Sequence, residues 1–514
     1  MGMHAIIGMH AMRKTLLSMG LVLTCLAALL VALAPLRAED RPNFILLMGD
    51  DHGWEETGYN GHAYLQTPVL DRMAASGLRM DRFYAAHPSC SPTRGSVLTG
   101  RHPVRYGTFA PNWSMRPEEI TIAHVLRDGG YATGHFGKWH VGTVKAGSPL
   151  NPGAMGFDEW LSHDNFFELH PTLSRNGGPP ERFEGESSAI VVDEAIRFIE
   201  KSTEAGKPFL AVVWFGSPHE PYSGLPEDLA LYDELPAQYA DRMVPLTSNE
   251  TGLQIERPLG DVLRERYAEI TAMDRAIGTL RDYLDAAGLR ENTLLWYNGD
   301  NGTPRSGLAE TPLRGLKGTM YEGGIRVPGL IEWPARIPEP RTTDVAAVTS
   351  DILPTLAALA GQPAPERPLD GIDLKSLIDG RMTARPVPIF FWSFDTGVLA
   401  GRDHDPWLDP ALQVGTTPLV KLMNGIATRN FENFRYPAVD PHDFGGARVM
   451  LADHRKLVVD GSRGSGAELF DLRHDRAESR NLAGEETGIL EELQAGLRAW
   501  QESVLNSLTG ADYR

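Results

Sequence analysis

Cys90 opens the run Cys90-Ser91-Pro92-Thr93-Arg94-Gly95-Ser96-Val97-Leu98-Thr99-Gly100-Arg101, and it is one of only 2 cysteines in 514 residues. Cys25, the other, falls in an N-terminal apolar stretch expected to be removed, so the mature thiol has nothing inside the chain to pair with. Such a thiol is a buried bystander, half of an intermolecular disulfide, or a chemical handle. Pro92 suits the first turn of a helix that runs to about Thr99 and stops at Gly100. Cys90 then lies at the helix N-terminus, near unpaired amides and the positive end of the dipole, where anions are favoured and a thiol can be acidified. Arg94, on the same turn, can reach back toward Cys90.

A second chemistry is written in oxygen donors. Asp50 and Asp51 follow the apolar run Asn43 to Met48, and Asp300 and Asn301 follow Thr293 to Tyr297. One such pair reads as a solvated turn. Two pairs at the carboxyl ends of parallel strands, where open α/β sheets bind ligands, can converge on one point. Four oxygen donors suit a hard cation, calcium first and magnesium second, whereas zinc would want nitrogen or sulfur. Basic residues accompany them: Lys138 and His140 in Gly137-Lys138-Trp139-His140-Val141-Gly142, His219 in Ser217-Pro218-His219-Glu220-Pro221, and Lys317 in the glycine-rich Leu313-Arg314-Gly315-Leu316-Lys317-Gly318-Thr319. In an extended segment the side chains of Lys138 and His140 would point the same way.

The elements that must position these residues alternate between strands and helices. Asn43 to Met48, Pro208 to Phe215 and Thr293 to Tyr297 are continuous apolar runs of strand length. Thr67-Pro68 reads as a cap plus a first-turn proline, with Leu70, Met73 and Ala74 on one face and Gly77 as the stop. Strands apolar on both faces and separated by helices imply an α/β fold, with a mainly parallel central sheet sandwiched by helices. Composition shifts near residue 380. Beyond it, Ile389 to Trp392 and Arg455 to Asp460 read as strands, Gly461 to Gly466 as a turn, and Ile489 to Val504 as an amphipathic helix. The expected organisation is a removable segment over 1–38, a catalytic domain over 39–385 and a smaller C-terminal α+β subdomain with an antiparallel sheet over 386–514.

Taken in this order, the motifs resemble those of the type I, formylglycine-dependent sulfatases, the arylsulfatase-like branch of the alkaline phosphatase superfamily. The likeness extends from about Pro42 through Tyr321-Glu322-Gly323-Gly324-Ile325-Arg326-Val327-Pro328 to Glu468-Leu469-Phe470-Asp471-Leu472 and Asn481-Leu482-Ala483. The resemblance implies that a maturation enzyme converts Cys90 to 3-oxoalanine (formylglycine). It further implies that Asp50, Asp51, Asp300, Asn301 and the modified Cys90 bind calcium, that Arg94 holds the modified residue, and that Lys138, His140, His219 and Lys317 surround a sulfate. A hydrated aldehyde carries two hydroxyls: one attacks sulfur, and the other loses a proton, to His140 in this reading, so that the diol collapses and expels sulfate. Lys138 and Lys317 offset sulfuryl charge and His219 protonates the leaving alcohol. The chain departs from the family's habit at Thr93, at His52 and at Asn298-Gly299, and none of these removes a needed functional group.

Compartment and partners follow from the ends and the charge. Arg13 and Lys14, the apolar stretch Leu16 to Leu33 and a small residue at Ala38 form a signal peptide, for which a membrane anchor is the rival reading. Cleavage is preferred because no comparable run follows, and the absence of a small residue just before Cys25 argues against lipid attachment. The expected location is periplasmic or secreted, without stable membrane insertion. A net charge of -18 argues against nucleic acid and leaves an anionic substrate to a local basic pocket. The substrate class is then a sulfated small molecule or glycan, with His163, Asn165, Phe166 and Phe167 as either a sugar subsite or core. The alternatives are a phosphonate or phosphate ester hydrolase, and a catalytically silent sulfated-glycan-binding protein. The Lys138, His140 and Lys317 set favours sulfate, and retention of every candidate catalytic group argues against silence.

Overall fold

Residues 43–49, Asn-Phe-Ile-Leu-Leu-Met-Gly, are apolar at nearly every position, and a strand of that kind needs cover on both faces. In the computed structural model, which describes residues 41–248, 251, 253–399, 402, 404–419, 428–461 and 466–513, it has both. The expected signal segment with Cys25 and most of the turn Gly461 to Gly466 lie outside the described residues. From Pro42 onward the chain forms one compact unit.

Asn43–Gly49 lies near the middle of a ten-stranded sheet. It pairs in parallel with Thr293–Gly299 on one side and Phe209–Trp214 on the other; beyond the latter come Ala132–Lys138 and Glu159–His163, again parallel. Antiparallel pairings follow on both sides, Gly329–Glu332 against Thr293–Gly299 and Thr172–Arg175 against Glu159–His163, and the edge strand Arg341–Thr343 pairs in parallel with Leu78–Met80. Alternate residues enter two separate cores. Phe44, Leu46, Met48, Leu210, Val212 and Trp296 pack with Val97 and Leu98 of the helix Cys90–Thr99 and with Leu353 and Leu356 of Ile352–Leu359. Ile45, Leu47, Ala211, Val213 and Leu295 pack on the opposite face with the helices Pro68–Ser76, Ser187–Glu204 and Leu259–Ala286.

The helix Pro68–Ser76 starts at the expected proline and ends at Gly77, but Thr67 does not cap it. Thr67 Oγ1 donates to Asp71, and the first amides of the helix, Val69 N and Leu70 N, donate to Asp274 at 2.9 and 2.8 Å. A carboxylate from a neighbouring helix supplies negative charge at the positive dipole end, which a threonine hydroxyl does not.

After residue 385 four antiparallel strands follow, in the order Ile389–Trp392, Arg448–Ala452, Arg455–Val459, Ala467–Asp471. The helix Thr487–Leu508 covers them with Leu493, Leu497, Trp500 and Val504. It is also tied to the segment that follows Cys90–Thr99 through Asp370, which accepts from Arg105 Nε (2.7 Å) and NH2 (2.9 Å), His102 N (2.6 Å) and Trp500 Nε1 (2.8 Å). No helix among the described residues is long and apolar enough to cross a membrane.

Burial alone would raise the Asp370 carboxyl, but Arg105, with His102, holds it well below the carboxylate range. A carboxyl depressed in the folded state stabilises above its unfolded pKa of about 4, and the contribution is lost as pH falls toward the folded value. Asp370→Asn is therefore expected to lower stability by about 3 kcal/mol from pH 7 down to about 4, with the gap from wild type narrowing below that, as read from urea unfolding. A gap that stays constant below pH 4 would contradict the assignment.

Candidate active site

Register brings the two oxygen-donor pairs together. Gly49 lies opposite Gly299 in the parallel pairing, so Asp50 and Asp300 leave the sheet side by side at its carboxyl end. Asp51, at φ 63°, donates its N–H to Asp300 Oδ1 at 2.9 Å, and Asp50 N–H donates to Ser217 O at 2.9 Å. The helix Cys90–Thr99 is buried along its whole length and delivers Cys90 to the same point. Ligand atoms of Asp50, Asp51, Cys90 and Asp300 all lie within 4.8 Å of one another. Thr93, the departure within the motif, donates its hydroxyl to His87 O at 2.7 Å.

Each of the three carboxylates meets a cation. Lys138 Nζ is 2.6 Å from Asp50 Oδ2, Lys317 Nζ is 2.5 Å from Asp51 Oδ1 and 3.6 Å from Cys90 Sγ, and Arg94 NH2 is 2.8 Å from Asp300 Oδ2. Arg94 does not bond Cys90, as its place on the helix suggested. Its guanidinium is taken up by Asp300 and by Lys138 O at 3.1 Å, because a buried charge is best matched by the nearest full opposite charge. The segment carrying Lys138 and His140 is not extended either: the strand ends at Lys138, and His140 adopts a left-handed backbone at φ 60°. Lys138 turns to Asp50, whereas His140 Nε2 lies 3.2 Å from Asn112 Oδ1. His219 Nε2 is 3.8 Å from Asp51 Oδ2, its Nδ1 bonds Glu220 O, and its ring stacks on Phe166 at 4.5 Å.

The charges shape the titrations. Burial favours the neutral form of Asp51, but Lys317, with Lys138, outweighs it and holds this carboxyl well below its ordinary range. Burial and then Asp50 push Asp300 up to about 6 in spite of Arg94. Burial, with Asp300 next, holds the Cys90 thiol well above the usual thiol range, so the mild acidification expected at a helix N-terminus is overridden. Burial and the nearby cations, Lys138 foremost, keep His140 neutral.

Of the sugar-subsite candidates, Phe167 belongs to the core and His163 Nε2 bonds Pro418 O, whereas Phe166 and Asn165 touch site residues. Arg266 and Glu56 are site residues that no motif announced. Arg266 is fully buried; it pairs with both oxygens of Glu56 at 2.6 Å and donates to Asp51 O and Pro218 O, also at 2.6 Å, which fixes the backbone on both sides of the cluster. The only signal in the sequence was an arginine in line with Leu263, Tyr267 and Ile270 on a buried helix face. The lysine loop is braced from outside the large sheet. Lys317 N–H donates to Thr303 O at 3.0 Å, and fully buried Lys456 of the C-terminal sheet pairs with Glu322 at 3.0 Å and Glu478 at 2.8 Å.

Three buried oxygens of the predicted metal ligands, Asp50 Oδ1, Asp51 Oδ2 and Asn301 Oδ1, accept no hydrogen bond. Unsatisfied hard donors from three ligands in one cluster fit an oxygen-seeking divalent cation.

The model of the Sulfatase family matches residues 42–362. The chain is 35% identical to human arylsulfatase A over 71% of this chain and 73% of that protein, and 30% identical to dog N-acetylgalactosamine-6-sulfatase over 70% of each. Among solved structures, Ps i-CgsB in complex with k-i-k-neocarrahexaose superposes with a TM-score of 0.71 at 22% identity, covering 90% of this chain and 93% of that one.

Arg266→Met leaves Glu56 buried without its partner, and a loss of about 3 kcal/mol or more in urea unfolding is expected. Adding Glu56→Gln should recover part of that loss by removing the orphaned charge; a double variant no more stable than the single one would show that the pair acts otherwise.

Proposed function

The chain belongs to the sulfatase family and is a sulfuric ester hydrolase; we propose that it acts on sulfated carbohydrates through a formylglycine derived from Cys90, beside a calcium ion. The observation that carries this reading is the convergence of Cys90 with Asp50, Asp51 and Asp300 beside Lys138, Lys317 and His219. Asp50, Asp51, Asp300 and Asn301 would hold calcium together with the converted Cys90, and magnesium is the second choice. When bound, the cation supplies Lewis acidity toward the nucleophilic hydroxyl and a sulfuryl oxygen. Conversion of Cys90 supplies a hydrated aldehyde, whose two hydroxyls permit attack on sulfur and later release of sulfate.

The remaining steps fall to side chains of this chain. Lys317, between Asp51 and Cys90, and Lys138, on Asp50, place positive charge where a bound sulfate would carry negative charge. Arg94 orients Asp300 and so acts on the nucleophile through a carboxylate. Burial and then Lys138 and Lys317 outweigh Asp51 and keep His219 neutral; an entering anion offsets the lysines and raises its proton affinity, which suits donation to the leaving alcohol. His140, neutral with an unpartnered Nδ1, accepts a proton during sulfate release. Glycan substrates are favoured by relatives whose names specify a sulfated amino sugar. We further propose the division 1–38, 39–385 and 386–514, with residues 1–38 removed on export to the periplasm or beyond and Cys90 converted by a formylglycine-generating enzyme.

Protein made beside a maturation enzyme should yield a Cys90 peptide carrying an aldehyde in mass spectrometry, and a bare thiol in active protein would remove the mechanism. Cys90→Ala should release sulfate at least about a thousandfold more slowly while still folding. Assayed on sulfated sugars, aryl sulfates and phosphonates, the enzyme is expected to prefer the sugars. Asp51→Asn should raise the calcium needed for half-maximal rate; an unchanged response to a chelator would exclude Asp51 as ligand.

A further inference from the structure

His140 feels the charge of Lys138, Arg94 and Lys317, but its hydrogen-bond partner lies outside the family's motifs. Asn112 lies against its Nε2, and Asn165 lies behind Asn112. We propose that Asn165 and Asn112 form a positioning pair that fixes His140 as the Nε2–H tautomer, leaving Nδ1 as the atom that accepts a proton. This rests on the reading of His140 as proton acceptor given above.

The direction of every hydrogen bond follows from one unambiguous donor. Phe166 N–H can only donate, and it donates to Asn165 Oδ1 at 2.9 Å. That orients the Asn165 amide, so its NH2 group faces Asn112 and donates to Oδ1 at 3.2 Å. Asn112 Oδ1 is therefore an acceptor, and His140 Nε2, also 3.2 Å away, must carry the hydrogen it accepts. A neutral imidazole has a single N–H, so Nδ1 keeps its lone pair. Nδ1 is buried and meets no hydrogen-bond donor or acceptor among the described residues. Burial, together with the cations Lys138, Arg94 and Lys317 that act on the ring, opposes a resting imidazolium.

The pair is also held rigid. Asn112 and His140 both have left-handed backbones, at φ 69° and 60°, a conformation rare outside glycine and retained at sites where the surroundings impose it. Asn112 N–H donates to the hydroxyl of Ser91, next to Cys90, at 3.2 Å, and Asn112 O accepts from Glu432 N at 3.2 Å. Phe431 closes the edge of the His140 ring at 6.2 Å between centroids. Asn112 thus spans the nucleophile helix, the C-terminal region and the base. A proton taken up at Nδ1 converts the ring to an imidazolium whose Nε2–H still donates to Asn112 Oδ1, so the partner that sets the tautomer also stabilises the charged product.

The test is long-range proton–nitrogen NMR on the full chain labelled with nitrogen-15 histidine, with the His140 signals identified by their loss in His140→Gln. Wild type should show a pyridine-type Nδ1 and a pyrrole-type Nε2. A proton on Nδ1, or on both nitrogens at neutral pH, would overturn the proposal. Asn112→Leu removes the acceptor and should yield a mixture of tautomers, with kcat falling about tenfold to a hundredfold and KM changing less than about twofold. Asn112→Asp keeps an oxygen in place and should restore the Nε2–H form and most of kcat. An unaltered tautomer or an unaltered kcat in Asn112→Leu would each refute the positioning role. The spectrum needs no turnover, so it stands or falls apart from the assignment of Cys90 as nucleophile.

Discussion

Charge sealed from water has to be matched inside the protein, and the carboxyl end of this sheet is organised around that requirement. Asp50, Asp51 and Asp300 are buried within hydrogen-bond range of Lys138, Lys317 and Arg94; one pairing ties two strand ends together and the other two bring the glycine-rich loop and the Cys90 helix to the sheet. Arg94 brings the Cys90 helix against the strand end that carries Asp300, and by donating to Lys138 O it also fastens the end of a third strand. Lys317 carries the glycine-rich loop to Asp51. A site knitted this way is rigid because breaking any one link strands a charge in a low-dielectric interior.

A second layer supports the first. Arg266 and Glu56 lie beneath the backbone of Asp51 and Pro218, so the carboxylate strand end and the histidine loop share one anchor. Lys456 does the same for the lysine loop from the C-terminal sheet, so residues more than a hundred positions later support that loop. The C-terminal helix is locked on through Asp370 by the same logic of a carboxylate surrounded by donors.

The strands and the nucleophile segment were legible because their signals are local. A run such as Ile45, Leu46, Leu47, Met48 can only be a strand covered on both faces, and Cys-x-Pro-x-Arg with Leu-Thr-Gly-Arg is a compact pattern. What stayed hidden depends on partners far apart in the chain. Thr67 looks like a cap until Asp274, about two hundred residues later, proves the better one. The turn at His140 and the destination of Arg94 are set by Asn112 and Asp300, and spacing carries no information about either. Asn112 itself lies in none of the motifs.

Cys90 owes its burial to residues that arrive late. Asp300 and Lys317, which close over it, lie more than two hundred positions toward the C-terminus. At synthesis rates of about 5–20 residues per second, roughly 10–45 seconds separate the emergence of the thiol from that of the loop that covers it. The finished fold thus has a clock built into its topology. An enzyme that must bind the Cys90 segment as an extended peptide finds it in that form only before the helix Cys90–Thr99 is buried, so the order of assembly sets when such binding can occur.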